Sequence, residues 1–311
     1  MVLRLRVFFA GLWLASALPL GCQPALAAKP AEKTVVLPVQ NYKPRPGLWL
    51  LADEDTKIYL FGTTHMLAPG FKWRSPALDR VASAADELVV ETYEPPGSEA
   101  DAAFLLSILH EEPVPVLERV PPEHRAALAA LLDRHKMPLD NASFLKTWML
   151  AIMLGYAEEL EGWGVDELED APGVEDVLEE QFRKAKKPIS SVESPEAGLD
   201  AFDALPEAEQ VKLLLEIVAP AKDTKEQEAR SDELWAQGRY EEAYARDMED
   251  FPPVLFEGLV VKRNAAWTEW LEKRSKQPGT VLFAVGAAHL AGPESVQIML
   301  AKRGLEAKRV D

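Results

Sequence analysis

Apolar and polar positions recur along this chain with two periods, and their alternation predicts layered strands and helices. Two apolar runs, Leu48-Trp49-Leu50-Leu51 and Lys57 to Phe61, flank Asp53-Glu54-Asp55 and read as a hairpin. Glu87 to Glu91, Pro188 to Val192, Thr280 to Val285 and Leu305 to Val310 read as further short strands. Between them, spacing of three and four predicts helices near 76–85, 99–111, 122–136, 143–161, 174–186, 195–204, 206–218, 223–237 and 239–248, then 253–275 and 293–303. Phe144, Trp148, Ile152 and Gly155-Tyr156 fall on one face of the 143–161 segment. Strands interleaved with helices predict an α/β fold with a mixed, largely parallel central sheet. The helical stretches within 98–187 and 205–275 exceed simple crossovers, so they predict an extensive helical cap.

The first residues follow another logic. Arg4 and Arg6 precede an apolar run from Val7 to Leu20, and Ala25-Leu26-Ala27 places small residues where a signal peptidase cuts. Residues 1–27 are therefore expected to be a signal peptide of an exported protein, periplasmic or secreted. Pro19-Leu20-Gly21-Cys22 offers the alternative of a lipoprotein anchored through Cys22. Residues 28–46 hold Pro30, Pro38, Pro44 and Pro46 with little periodicity and read as a flexible tether. A single domain is expected over 47–311, with no transmembrane segment in the mature chain. Removing 27 of the 311 residues leaves 284, enough for one substantial core.

Charge and cysteine usage narrow the chemistry. The formal charge of −17 becomes −19 without Arg4 and Arg6, which excludes nucleic acid as a natural partner. Cys22 is the only cysteine, so cleavage after Ala27 removes disulfides, cysteine nucleophiles and thiolate zinc ligands from consideration.

The ends of the predicted inner strands carry His65, Glu91, Glu193 and His289. Two of these ends share a layout, Gly62-Thr63-Thr64-His65 and Gly286-Ala287-Ala288-His289, each after an apolar strand. Sites in open α/β sheets gather beyond the carboxyl ends of strands. A glycine there permits unusual backbone angles or close approach of another chain, which would let the histidine project into a cleft. Two imidazoles with one or two carboxylates suit zinc, cobalt, nickel, iron or manganese, and equally suit metal-free acid and base catalysis. A lone Gly-x-x-His is usually structural, and it is the pair that carries weight. Glu91 follows an apolar run but also reads as a capping carboxylate, and Glu193 reads equally as a turn residue. Arg263 and Asn264 share a helix face with Trp267, so at least one of them points inward. Arg263 reads as an anion clamp or as the partner of a buried carboxylate. His110, His124 and His135 stand in polar helical stretches and read as solvated.

These motifs together resemble the TraB/GumN family, which is related to the TIKI metalloproteases. The resemblance spans about 47–311. It rests on Gly47-Leu48-Trp49, Leu60 to His65, Val89-Val90-Glu91, Pro172-Gly173-Val174-Glu175, Lys187-Pro188, Val192-Glu193-Ser194, Arg263 to Trp267 and Val285 to Leu290. It implies a mixed α/β fold with both Gly-x-x-His motifs at one site. It also implies, by the TIKI branch, a peptidase using a divalent metal, with manganese or cobalt favoured and a peptide or protein as substrate. His65, Glu91 and His289 carry over as site residues, and Arg263 and Asn264 with them. The metal would sit on His65, Glu91 and His289, with Glu193 as an additional site residue. Glu91, Arg263 and Asn264 would serve catalysis, Glu91 as third ligand or as the base, and Arg263 or Asn264 on the oxyanion. Glu175 stands where Asp is usual and Ser194 where Thr is common. A haem-binding relative in the wider superfamily supplies the alternative of a non-enzymatic ligand-binding protein.

Overall fold

The computed structural model describes residues 40–97, 102–165, 171–219, 224–249 and 251–311. The segment expected to be a signal peptide lies outside them. In chain order the strands are β1 (Leu48–Ala52), β2 (Thr56–Thr63), β3 (Glu87–Val90), β4 (Ile189–Ser191), β5 (Gly279–Gly286) and β6 (Lys308–Arg309). They form one sheet in the order β4-β3-β5-β2-β1-β6. The expected hairpin is β1 against β2, and its turn is held by Asp53, whose carboxylate accepts from the N–H groups of Asp55 and Thr56. Four adjacent strands, β4, β3, β5 and β2, are parallel, with β4 at one edge of the sheet, while β1 and β6 close the other edge antiparallel. β3 and β5 are apolar on both faces, with Val281 to Val285 fully buried, as parallel strands covered by helices require, whereas Ser190 and Ser191 of β4 are exposed.

The helices are α1 (Pro76–Ala84), α2 (Ala102–Ser107), α3 (Arg125–Arg134), α4 (Leu139–Phe144), α5 (Thr147–Trp163), α6 (Val174–Lys184) and α7 (Leu199–Asp203). They continue with α8 (Glu207–Val218), α9 (Thr224–Ala236), α10 (Tyr240–Asp247), α11 (Pro253–Phe256), α12 (Lys262–Arg274) and α13 (Val296–Lys302). They sort between two apolar cores. α1, α6, α9, α10, α12 and α13 cover the sheet, with Leu78, Phe182, Trp235, Tyr240, Trp267 and Leu300 buried against it. α3, α4, α5, α7, α8 and α11 surround a second core containing Leu131, Trp148, Phe202, Leu214 and Leu255. The expected cap is this second core, although α6, inside the 98–187 stretch, and α9, α10 and α12, inside the 205–275 stretch, belong to the sheet layer.

Three expectations change on inspection. The 143–161 helix is two helices broken at Leu145–Lys146, so Phe144 ends α4 and is exposed while Trp148 and Ile152 are buried in α5. The 253–275 helix contains a π-helical turn at Glu257–Val261 between α11 and α12. The last strand shortens to Lys308–Arg309. Residues 40–46, the described part of the segment read as a tether, lie against the body. Gln40 exchanges hydrogen bonds with the backbone of Lys72, and the Arg45 N–H donates to the Ala236 carbonyl.

The helical segment from α11 to α12 joins the two cores. Leu255, Leu259 and Val260 sit in the cap core, whereas Trp267 and Leu271 sit in the sheet core. Arg263 and Asn264 fall at the seam between them. The turn after β5 crosses the same seam, with Ala288 in the cap core and Leu290 in the sheet core.

Candidate functional site

Parallel pairing brings the strand ends together. Thr63 lies beside Gly286, and Val90 lies beside both Ala284 and Ser191. His65, Glu91, Glu193 and His289 therefore leave the sheet at one edge, the carboxyl edge, under the seam. Both imidazoles are buried, His65 at 8% exposure and His289 at 0%, and neither projects into an open cleft. The glycines before them do not need unusual backbone angles: neither Gly62 nor Gly286 has positive φ. For Gly62 the reason is close approach. A Cβ on Gly62 would meet the Tyr240 ring and come within 3.0 Å of Ala287 Cα. The Gly62 carbonyl accepts from Trp235 Nε1 at 2.8 Å and from the Tyr240 hydroxyl at 3.0 Å. The Gly286 N–H donates to Glu91 Oε1 at 2.7 Å.

Arg263 is the hub. Its Nε donates to the two Glu193 oxygens at 2.9 and 3.1 Å, and its Nη2 donates to Glu193 and, at 2.5 Å, to Glu91 Oε2. Its Nη1 reaches the Leu259 carbonyl at 3.2 Å and His289 Nε2 at 3.3 Å. Leu259 belongs to the π-helical turn, so that irregularity helps aim the guanidinium. Trp267 closes the arrangement, with Nε1 donating to Glu193 Oε2 at 2.8 Å and its ring 4.9 Å from the guanidinium carbon. Burial alone would lower the Arg263 pKa, but the charges of Glu91 and Glu193 outweigh it and raise it. Burial also lifts the Glu193 carboxyl, against the opposing pull of Arg263.

His289 is fixed by Asn264. Asn264 Nδ2 donates to the Glu294 carbonyl at 2.7 Å, which turns its Oδ1 toward His289 Nδ1 at 2.6 Å. Nδ1 thus carries the proton and Nε2 is bare, facing Arg263 and lying 3.8 Å from Glu91 Oε1. Burial first, then the charges of Arg263 and His65, push the His289 pKa well below the usual imidazole value and keep the ring neutral. Both polar residues of the helix face point inward.

His65 has a different neighbour. Its Nδ1 lies 2.8 Å from Glu175 Oε1, and the Thr63 hydroxyl donates to that same oxygen. The His65–Glu175 contact is close but not collinear with the ring N–H, so charge attraction holds it more than a directed bond. His65 Nδ1, His65 Nε2 and Glu175 Oε2 are buried with no hydrogen-bond partner among the described residues. Burial disfavours a charged His65, yet Glu175 and then Glu91 outweigh it and raise its pKa. Burial likewise opposes an ionised Glu175, and His65 and Thr63 reverse that and lower its pKa. Glu175 and Thr63 stood outside the candidate set drawn from sequence. The available signal was position: Glu175, Leu178 and Phe182 follow i, i+3, i+7, which puts a carboxylate in the apolar stripe of α6.

The remaining histidines are elsewhere. His110 lies past the end of α2, outside any helix, and is half-buried with its Nε2 out of solvent. His124 stands in a short 3₁₀ turn. His135 caps α3 and contacts Glu158 at 2.7 Å. His135, Glu158 and Glu161 form, among the described residues, the one set of three such side chains with ligand atoms all within 4.8 Å of one another. Arg134 already spans both of those carboxylates.

The donors at the strand ends fit a divalent ion. By donor type alone, His65 Nε2 is a buried nitrogen without a hydrogen-bond partner, His289 Nε2 is unprotonated and accepts from Arg263, and Glu91, Glu193 and Glu175 set three carboxylates against one guanidinium, although no three of these groups bring ligand atoms within 4.8 Å of one another.

Fold and site together define an α/β protein with a buried His–Glu–Arg cluster between a parallel sheet and a helical cap. The chain belongs to the TraB/PrgY/gumN family, whose sequence profile matches residues 47–309. No curated protein and no solved structure matches the chain. Among the described residues no helix is long and apolar enough to cross a membrane.

Proposed function

We propose that this protein is an exported, divalent-metal-dependent hydrolase acting on peptides. One observation carries the reading: two strand-end imidazoles are buried at one edge of the sheet, one with an Nε2 that has no hydrogen-bond partner and the other with an unprotonated Nε2 that accepts from Arg263. His65 and His289 would hold the ion through those nitrogens, with manganese or cobalt the favoured metals. Such an ion supplies an activated water and a Lewis acid for a carbonyl. Glu91, 3.8 Å from His289 Nε2, would be a further ligand or would take the proton of that water. Arg263 fixes Glu91 and Glu193 in one plane of charge, and its N–H groups are directed at protein acceptors, so it contributes field and position. Asn264 holds the His289 ring.

Charge balance supports the same reading. Once His65 gives up its proton to an ion both imidazoles are neutral, and three carboxylates and one guanidinium leave two negative charges, which one divalent cation offsets. A small ion is favoured over haem because His289 is fully buried with its Nε2 against Arg263, leaving no ring face for a macrocycle.

The test is elemental analysis of the purified protein, with cleavage of unstructured peptides measured after chelation and after adding back manganese or cobalt. Activity that falls on chelation and returns with the metal is expected. Protein that retains no metal and cleaves nothing under any of these conditions would end the reading.

A further inference from the structure

We propose that Glu175 is the positioning residue of His65, holding the ring in the tautomer that turns a bare Nε2 toward the site. What Nε2 then binds rests on the hydrolase reading, whereas the tautomer does not. The start of α6 is docked onto the exit of β2 for this contact. The Val174 N–H donates to the Thr64 carbonyl at 3.0 Å. Gly173 lies so close that an added Cβ would strike the His65 backbone, coming within 3.0 Å of its Cα. The next residue but one is Glu175, with 6% of its side chain exposed.

A buried carboxylate is costly unless it is paired, and this one has two partners on a single oxygen. Thr63 Oγ1 donates to Oε1 and fixes the carboxylate's rotamer, and His65 Nδ1 lies 2.8 Å from the same atom. An ionised carboxylate only accepts. With the proton on Nε2 instead, the Nδ1 lone pair would face the lone pairs of Oε1 at 2.8 Å, which is repulsive. In the neutral ring the carboxylate therefore selects Nδ1–H. Asn264 selects the same tautomer at His289, but with a neutral amide anchored through Glu294. The two histidines share one orientation logic carried out by chemically different groups. Outer partners of this kind typically alter metal affinity by ~10- to 100-fold when removed.

The substitution that separates position from structure is Glu175→Gln, because an amide can donate to Nδ1 as well as accept from it. The full chain, labelled with ¹⁵N-histidine, reports each ring's tautomer by long-range NMR, and titration with cobalt(II) reports affinity. In the wild type, at a pH above that at which His65 loses its charge, the neutral ring is expected as Nδ1–H. In Glu175→Gln the Nε2–H form of His65 should appear while His289 keeps its signature, and cobalt affinity should fall ~10-fold or more. Glu175→Asp, which keeps an anionic acceptor, should restore the wild-type tautomer. If Glu175→Gln does not fold, Thr63→Val tests the same link by freeing the carboxylate, and should broaden the His65 signals. An unchanged His65 tautomer and unchanged cobalt affinity in whichever variant folds, or a wild-type His65 in the Nε2–H form, would overturn the proposal. A wild type that binds no cobalt yet shows the tautomer change would sink the metal reading and leave the role of Glu175 standing.

Discussion

Arg263 Nη2 lies 2.5 Å from Glu91 Oε2, and the same guanidinium donates to Glu193, so one residue of α12 neutralises the ends of two neighbouring strands. The pairing fastens the cap to the sheet, because the Arg263 backbone belongs to the segment that crosses from one core to the other. It is also a dependency. A buried ion pair contributes little net stability when intact, but breaking it strands the surviving charges.

Arg263→Ala should therefore destabilise strongly, by ~3–5 kcal/mol, since two buried carboxylates lose their counter-charge together. Arg263→Lys should recover only part of the loss, because an ammonium cannot meet Glu193 in two directions while reaching Glu91. Denaturant unfolding measures both. A cost below ~1 kcal/mol for the alanine variant would mean that the carboxylates find other partners or protonate.

Gly62→Ala tests close approach as the reason for the glycine. The backbone angles of Gly62 suit any residue, so strain should come entirely from the new methyl meeting Tyr240 and Ala287. Overpacking of this kind costs ~1–3 kcal/mol. Pairing it with Tyr240→Ala, which opens the space, should remove most of that coupling in a double-mutant cycle. Independent, additive losses would show that the contact with Tyr240 is not the constraint.

The pH dependence of stability should carry a contribution from α6. Burial first, then Asp176 and Glu175, push the Glu179 carboxyl up to about 8, and burial with Glu175 pushes Asp176 up to about 6. A carboxyl whose folded pKa is raised keeps its proton in the folded state after the unfolded chain has lost it. Its contribution is thus present at acidic pH and is lost as pH rises from about 4.5 to about 8 for Glu179. Glu179→Gln should match the wild type near pH 4 and melt at a higher temperature at pH 9. Parallel melting curves across that range would show that Glu179 is not perturbed.

Much of this was legible in the residues because strong patterns have few readings. Thr280 to Val285 can only be a buried strand beside others, and the hairpin at 48–61 follows from two apolar runs around three acidic residues. Parallel register then fixes which residues meet, which is why His65, Glu91, Glu193 and His289 could be grouped from their strand-end positions alone. The π-helical turn escaped because five extra-wound residues disturb a 3.6-residue period too little to see. The break at Leu145–Lys146 escaped because both flanking helices continue the same apolar spacing. Glu175 escaped for a different reason: an acidic residue in the first turn of a helix has an ordinary explanation in the helix dipole. Only its burial beside His65 shows that it faces inward.

The mechanism makes the sharpest demand. His65→Ala and His289→Ala should each abolish metal-dependent hydrolysis, since either removes a nitrogen donor from the pocket. Because both rings are buried, neither variant should be silent in stability. His65→Ala leaves Glu175 without its charged neighbour, and His289→Ala leaves Asn264 Oδ1 unpaired, each worth ~1–3 kcal/mol. Activity must therefore be read well below each variant's melting temperature, with metal content measured on the same samples. Glu91→Gln separates the two roles open to Glu91. If it accepts the proton of the water, metal stays and turnover falls by ~10²-fold or more; if it is a ligand, metal content falls as well. Its contacts with Gly286 and Arg263 will be weakened in either case, so the melting curve of Glu91→Gln is the control that keeps a folding loss from passing as a catalytic one. A folded His65→Ala, His289→Ala double variant with full activity would remove the site from the reaction altogether.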